Sequence, residues 1–425
     1  MAACALFAPA IAFADETTGA AGPTISMTLD DAERLAKTRG FDALVADAQL
    51  ASARGDVRVA RTIANPSVTF GYGHVFESPP GGSQSWYAGL TDQGAIVDAL
   101  SGKRATRSRA AEAALAAAKT GRKDAERVLA ANAKQRYVQV VAAHASLDFA
   151  NESAAAATRL LEVNRARYPA VIDEGQLARI ETAKLEADQG VVLAEQSLRS
   201  AEIELAFATG ASAPAAHYAV DDTVLAFRVP AILKDANEAS LVRAALEHRP
   251  DLEAARHRNE RADANAEVAR RDRFPTIAFW ANYMQTGTGP TSVQPPTLTF
   301  GITTPLPILD QNQGPIALAD ADVRTQLVEQ QRLAARIAAD VAGAYAEWVA
   351  ARQLVERTES MLLARARRAK EITETQFQSG AGTLLDYLDA QRTFIAVRRA
   401  HLQTLAAYWS AVFALEQAVG TELRR

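Results

Sequence analysis

Two short stretches of the chain alternate between large apolar and small or polar side chains. From Ser67 to Phe76, one set is Val68, Phe70, Tyr72, His74 and Phe76, and the other is Ser67, Thr69, Gly71, Gly73 and Val75. From Thr297 to Thr304, Leu298, Phe300 and Ile302 alternate with Thr297, Thr299, Gly301 and Thr303. A two-residue period predicts β-strands whose faces meet different surroundings. Polar, Gly- and Pro-rich segments, Glu77 to Gln84 and Thr286 to Pro296, suit exposed hairpin loops. Each hairpin supplies a second strand, so four are expected, at about 66–76, 85–97, 275–285 and 297–306.

The remainder reads as helix. No proline lies between Pro80 and Pro169 or after Pro315, which leaves room for uninterrupted rods over Gly102–Tyr168 and Gly314–Phe377. The first would be about 100 Å long at 1.5 Å per residue. In the second, Val341, Trp348, Val355 and Leu362 recur every seven residues, with Leu333, Ile337 and Tyr345 at four-residue steps. That spacing describes a coiled-coil seam.

The pattern occurs twice. Asn65-Pro66-Ser67-Val68-Thr69-Phe70 matches Phe274-Pro275-Thr276-Ile277-Ala278-Phe279 at an offset of 209. Gly89, Asp98 and Gly102 match Gly301, Asp310 and Gly314 at 212; Gly175 with Glu181 matches Gly380 with Asp386 at 205; Thr209-Gly210 matches Val419-Gly420 at 210. A near-constant offset implies a tandem duplication, with repeats at about 27–213 and 236–420.

Composition sharpens this picture. Of 425 residues, 48% are hydrophobic but only 6% aromatic, and long tracts are rich in alanine, which suits closely packed helices rather than an enzyme core. The net charge of −4 argues against nucleic-acid binding. No run of about 18 apolar residues exists, so no transmembrane helix is expected, whereas a membrane β-barrel is compatible with alternating strands. The strands themselves fit two readings, a lipid-facing sheet or a half-buried soluble one. Four strands cannot close a barrel, and an open sheet in lipid leaves unpaired edges, so the membrane reading requires several copies of the chain.

Residues 1–14 form an apolar stretch ending in Ala12-Phe13-Ala14, the pattern of a signal peptide cleaved before Asp15. The lack of a positively charged opening points to a start upstream of Met1. Cleavage would remove Cys4, the only cysteine, and with it disulfide chemistry; lipidation of Cys4 is disfavoured because the apolar segment follows it.

The ordered landmarks resemble those of the TolC-type outer membrane efflux family, over nearly all of the mature chain. The residues concerned are Pro66 and Pro275 at the strand entries, the exit Thr304-Pro305-Leu306-Pro307-Ile308-Leu309-Asp310, the Gly-containing turns before Glu181 and Asp386, and the terminal Thr209-Gly210 and Val419-Gly420. The first copy departs at its second strand, where Asp92 and Gln93 break the run and no proline-rich exit follows. The resemblance implies a mainly α fold with a small transmembrane β part. In it, a homotrimer pools four strands per chain into a twelve-stranded β-barrel continued by a long α-helical barrel across the periplasm.

The resemblance further implies a passive exit duct in the outer membrane of a Gram-negative cell, serving an inner-membrane pump through a periplasmic adaptor protein. No enzyme activity and no cofactor follow. Val68, Phe70, Tyr72, Leu298, Phe300 and Ile302 would face outer membrane lipid. Gly175, Gly380 and Gly382 would shape the helical turns, and Asp386, Asp389 and Glu181 would ring the periplasmic aperture, with Lys184 as the first copy's second position. Carboxylates in a first helical turn also complement the helix dipole without any gate, so both readings stand. Cargo stays open among drugs, metal cations and secreted proteins; short loops suggest the heavy-metal cation branch. Competing functions are a protein-secretion duct of the type I kind and a secreted coiled-coil scaffold. Other constellations fail: His248 and His257 are nine apart, Gly71-Tyr72-Gly73 opens no helix, and neither a Gly-x-Ser-x-Gly elbow nor a phosphate loop occurs.

Overall fold

The computed structural model describes residues 24–74, 84–169, 172–211, 217–287 and 295–423. The expected signal peptide with Cys4, strand residues Val75 and Phe76, and most of both hairpin loops lie outside them. The first half runs β1 (Thr24–Ser26), α1 (Leu29–Arg39), α2 (Phe41–Arg61), β2 (Ser67–His74), β3 (Gln84–Thr91), α3 (Ala95–Leu100), α4 (Lys103–Arg165) and α5 (Glu174–Ala208). The second runs β4 (His217–Ala219), α6 (Ala231–Lys234), α7 (Glu238–His248), α8 (Pro250–Asp272), β5 (Ala278–Thr286), β6 (Thr297–Thr303), α9 (Gln313–Arg357), α10 (Ala364–Gln378) and α11 (Leu384–Val419).

At 63 residues, α4 is about 95 Å long. Its first half packs on α2 and α8, and its second half on α5 and α11. Strands therefore sit at one end of the rods and the α4–α5 and α10–α11 turns at the other. Midway, α1, α7 and the parallel β1–β4 pair wrap the rods around the main core, where the scarce aromatics gather: Tyr137, Trp348, Tyr408, Trp409 and Phe413 are all buried. Tyr137 donates to the Met27 carbonyl at 3.1 Å and accepts from the Asp221 amide at 3.1 Å.

An ionic chain ties α1 to this core. Lys134, its side chain only 3% exposed, bonds Glu416 and lies 3.0 Å from Glu33, which also pairs with Lys37 at 2.6 Å. Burial alone would lower the Lys134 pKa, but Glu416 and Glu33 outweigh it and the net direction is upward.

The second rod departs from a regular seam. Ile337, Val341, Trp348 and Val355 are buried as the heptad spacing requires, but Leu362 is half exposed and Leu363 is buried in its place. A π-helical turn, Thr358–Leu363, separates α9 from α10 and inserts one residue into the helical count, rotating the seam by one position. The hydroxyls of Thr358 and Ser360 bond the carbonyls four residues back, at 2.8 and 2.5 Å, and compete there with the regular ladder.

The four long strands form one antiparallel sheet in the order β2-β3-β5-β6. The strand expected over 85–97 ends at Thr91. Gln93 and Gly94 take left-handed backbone angles (φ 55° and 78°), and α3 follows. Asp92 enforces this break by accepting the amides of Gly94 at 3.0 Å and Phe279 at 2.7 Å. Those bonds, that from Gly94 foremost, hold its carboxyl below the usual range.

Candidate functional site

Two regions could carry function, the sheet and the opposite helical tip. In the sheet, register assigns every side chain to a face. Val68 pairs with Leu90, Leu90 with Ala281 and Ala281 with Phe300; Phe70 aligns with Ala88, Tyr283 and Leu298; Tyr72 aligns with Trp86 and Gln285; Phe279 pairs with Ile302. The six residues expected on one face therefore do share it, together with Trp86, Leu90, Phe279 and Tyr283, which alternation in single strands had not singled out. All six are exposed in the single chain, Phe70 and Phe300 at 78% and 73%. Trp86 and Tyr283 meet with ring centroids 5.4 Å apart.

The other face is not uniformly small and polar. Thr69, Thr297, Thr299 and Asn282 occupy it, but so do Tyr87, Trp280 and Met284. A Cβ added at Gly71 would collide with the Tyr87 ring, and one at Gly301 with the Trp280 ring. Glycine in each outer strand thus seats an aromatic ring from the inner strand beside it. Among the described residues, β2 and β6 each leave one edge without a partner strand.

A polar collar joins sheet to rods. Arg107 binds Asp98 with two bonds, of 2.9 and 2.5 Å; Lys103 donates to the Phe274 carbonyl at 2.6 Å; Arg271 donates to the Ser101 carbonyl at 2.8 Å. The last two contacts cross between the two halves of the chain and tie the start of α4 to the end of α8.

At the tip, Leu161, Ile180, Leu384, Tyr387 and Leu388 form a separate small core, with Phe377 stacked on Tyr387 at 5.5 Å. Burial pushes the Tyr387 phenol up to about 12. Thr383 caps α11 by accepting the Asp386 amide at 3.1 Å, and its hydroxyl donates to the Asp386 carboxylate at 2.6 Å. Asp173 caps α5 through the Gln176 amide at 2.7 Å.

The three acidic residues differ. Asp386 and Asp389 are exposed; Asp386 is engaged by Thr383, while Asp389 has no partner among the described residues. Glu181 is ion-paired with Arg165 across the turn at 2.8 Å, and Lys184 bonds Asp188 instead of screening Glu181. The repeat offset also differs here from the expected 205. The residues that cap α5 and α11, Asp173 and Thr383, stand 210 positions apart, which aligns Asp386 with Gln176.

The glycines separate likewise. Gly380 takes φ 77° after α10, and Gly382 packs so tightly that a Cβ would lie 2.9 Å from that of Gln376. Gly175, however, lies inside the first turn of α5, not in the connection before it.

The family model described as outer membrane efflux protein matches the chain twice, over residues 32–211 and 241–421. The chain belongs to the outer membrane efflux protein family. It is 26% identical to the cobalt-zinc-cadmium resistance protein CzcC of Cupriavidus metallidurans, covering 98% of this chain and 97% of that relative. The fold is shared with CusC (TM-score 0.76, 18% identity, 96% and 95% covered) and with the Campylobacter jejuni outer membrane channel CmeC (0.76, 16%, 97% and 90%). It also matches the open state of the Neisseria gonorrhoeae outer membrane channel MtrE (0.70, 20%, 93% and 90%). As a family member, the protein is a component of efflux at the outer membrane.

Proposed function

We propose that three copies of this chain assemble into a passive duct that carries cargo from the periplasm through the outer membrane. The observation that carries the reading is the four-stranded sheet, apolar and exposed over one face and open at both edges, mounted on rods of about 95 Å. Joined edge to edge, three such sheets make twelve strands and leave no backbone group unpaired in lipid. Val68, Phe70, Tyr72, Leu298, Phe300 and Ile302 then face hydrocarbon, and the threonine- and asparagine-bearing face lines the water-filled lumen. Trp86, Tyr87 and Tyr283 add aromatic bodies, Tyr87 from the lumen side.

At the other end, threefold repetition of Asp386 and Asp389 places six carboxylates around the periplasmic aperture. Glu181, neutralised by Arg165, contributes less. A duct without an energy source requires an inner-membrane pump, reached through a periplasmic adaptor. Divalent heavy-metal cations are the favoured cargo, supported by the name of the relative that matches nearly end to end; in keeping with a wide aqueous path, the protein would pass its cargo unchanged.

Reconstitution into planar bilayers tests the reading. Purified full-length protein should give discrete, long-lived conductance steps in symmetric salt. Binding of the protein to lipid without any conductance step would contradict a duct. For cargo, cells lacking the chain should become sensitive to cobalt, zinc or cadmium and recover on complementation; unchanged tolerance would reject the metal assignment alone.

A further inference from the structure

Outside the sheet and the tip, one cluster among the described residues gathers metal-ligating side chains from separate elements. His144 and Asp148 stand four residues apart on α4 and so share a helix face. Asp222 approaches from the one-turn helix Asp222–Leu225 in the connection between the two halves. His144 Nδ1 lies 3.4 Å from Asp148 Oδ2 and 3.9 Å from Asp222 Oδ1, and all three ligand atoms fall within 4.8 Å of one another.

This geometry serves a cation better than it serves hydrogen bonds. The Nδ1 atom of His144 is shielded from solvent yet has no hydrogen-bond partner, although two carboxylates surround it. Ligands of a tetrahedral zinc-type ion, with bonds of about 2.0–2.2 Å, sit about 3.3–3.6 Å apart; the His144–Asp148 separation of 3.4 Å lies in that range, and Asp222, at 3.9 Å from His144, would have to close in by a few tenths of an ångström. Asp222 is also held in advance: the neighbouring Asp221 caps its turn through the Thr223 amide at 3.0 Å, and the Asp221 amide donates to buried Tyr137. Such support from outside the ligand set limits how far the third ligand must move.

We propose that His144, Asp148 and Asp222 form a binding site for one divalent first-row cation of the zinc or cobalt type. One imidazole and two carboxylates without a thiolate suit these ions rather than monovalent copper. Remaining coordination positions are open to water, since the side chains of His144, Asp148 and Asp222 are 38%, 59% and 55% exposed. Occupancy would clamp the inter-repeat connection onto α4 and relieve the repulsion between the two aspartates. Among the described residues, the histidine–carboxylate contacts of His217 and His257 lack a third open ligand: Glu202 beside His217 already accepts the Tyr218 amide and lies 3.6 Å from Arg199, and His257 pairs with Glu260. The site is independent of the duct reading, because binding is measured without transport.

The test is titration of chelator-stripped, detergent-solubilised full-length protein with Co²⁺, followed by its visible absorption and by competition with a chromophoric chelator. One Co²⁺ per chain should bind, with Zn²⁺ displacing it. His144→Ala and Asp222→Asn should each weaken binding at least about tenfold, and His217→Ala should leave it unchanged. Asp222 is exposed and its variant is isosteric, so its result stands whether or not His144→Ala folds. Absence of saturable Co²⁺ binding by the wild type, or wild-type affinity in Asp222→Asn, overturns the proposal.

Discussion

Lys134 shows how a single residue can tie distant parts of this chain together. Its ammonium is buried between Glu416 of α11 and Glu33 of α1. Truncating Lys134 leaves buried Glu416 without a cation, whereas Glu33 keeps Lys37; removing one partner of a buried pair costs about 3–5 kcal/mol by precedent. Lys134→Met should therefore lower the guanidinium unfolding midpoint substantially more than Lys123→Met, with the slope preserved. Glu33 adds a pH dependence. Burial raises its pKa, but the bonds from Lys37 and Lys134 outweigh this and hold it below the ordinary 4.5. A lowered carboxylate contributes stability above its unfolded pKa and loses it as pH falls through the folded value. Acidification below about pH 4.5 should thus destabilise the wild type, and Glu33→Gln should flatten that dependence in thermal melts across pH 3–7. At the tip, Asp389 is the cleaner probe of the gate because the Asp386 carboxylate is also bonded to the capping residue Thr383. Asp389→Asn should weaken multivalent-cation block in single-channel recordings while leaving the melting temperature unchanged; a change in melting alone would favour the dipole role. The sequence announced these carboxylates but not their partners. Arg165 meets Glu181 across a turn, a juxtaposition that linear spacing does not encode.

At the scale of elements, the rods and three strand starts were legible because each rests on local periodicity and on where proline is absent. What escaped depended on contacts between segments far apart in sequence. The β3 strand stops at Thr91 because Asp92 captures the Phe279 amide, 187 positions away. Tyr87 and Trp280 sit over Gly71 and Gly301, which only the cross-strand register reveals. The shift from Leu362 to Leu363 stems from a π turn that leaves the amino-acid pattern almost unmarked. Faces of the sheet yield a direct prediction. Phe70→Arg and Phe300→Arg should impair membrane assembly far more than Thr69→Arg and Thr299→Arg, since a charge at the bilayer midplane costs roughly 2–4 kcal/mol and one in the lumen stays hydrated. Heat-modifiability on gels and outer membrane yield would report it; equal defects in both pairs would reject the assignment of faces.

On the scale of the whole molecule, a single copy leaves two sheet edges and much apolar surface uncovered among the described residues. It exposes 25842 Å², against about 16,000 Å² for a compact monomer of this mass. Exposed apolar side chains run along its length, from Phe70 and Phe300 in the sheet to Phe207, Val192 and Leu185 on α5. Burying them, and pairing the free edges of β2 and β6, calls for neighbours arranged around an axis, and a heterologous contact that closes at three copies meets both needs. The duplication within the chain, read early from repeated prolines and glycines, accounts for two hairpins of strands per copy but says nothing of how many copies close the ring. Native mass spectrometry of the full-length protein, released from a mild detergent, measures that number directly. A dominant species of three chains, lost together with conductance in Phe70→Arg, is the expected result; a monomer as the sole species, in preparations that still bind lipid, would contradict the account.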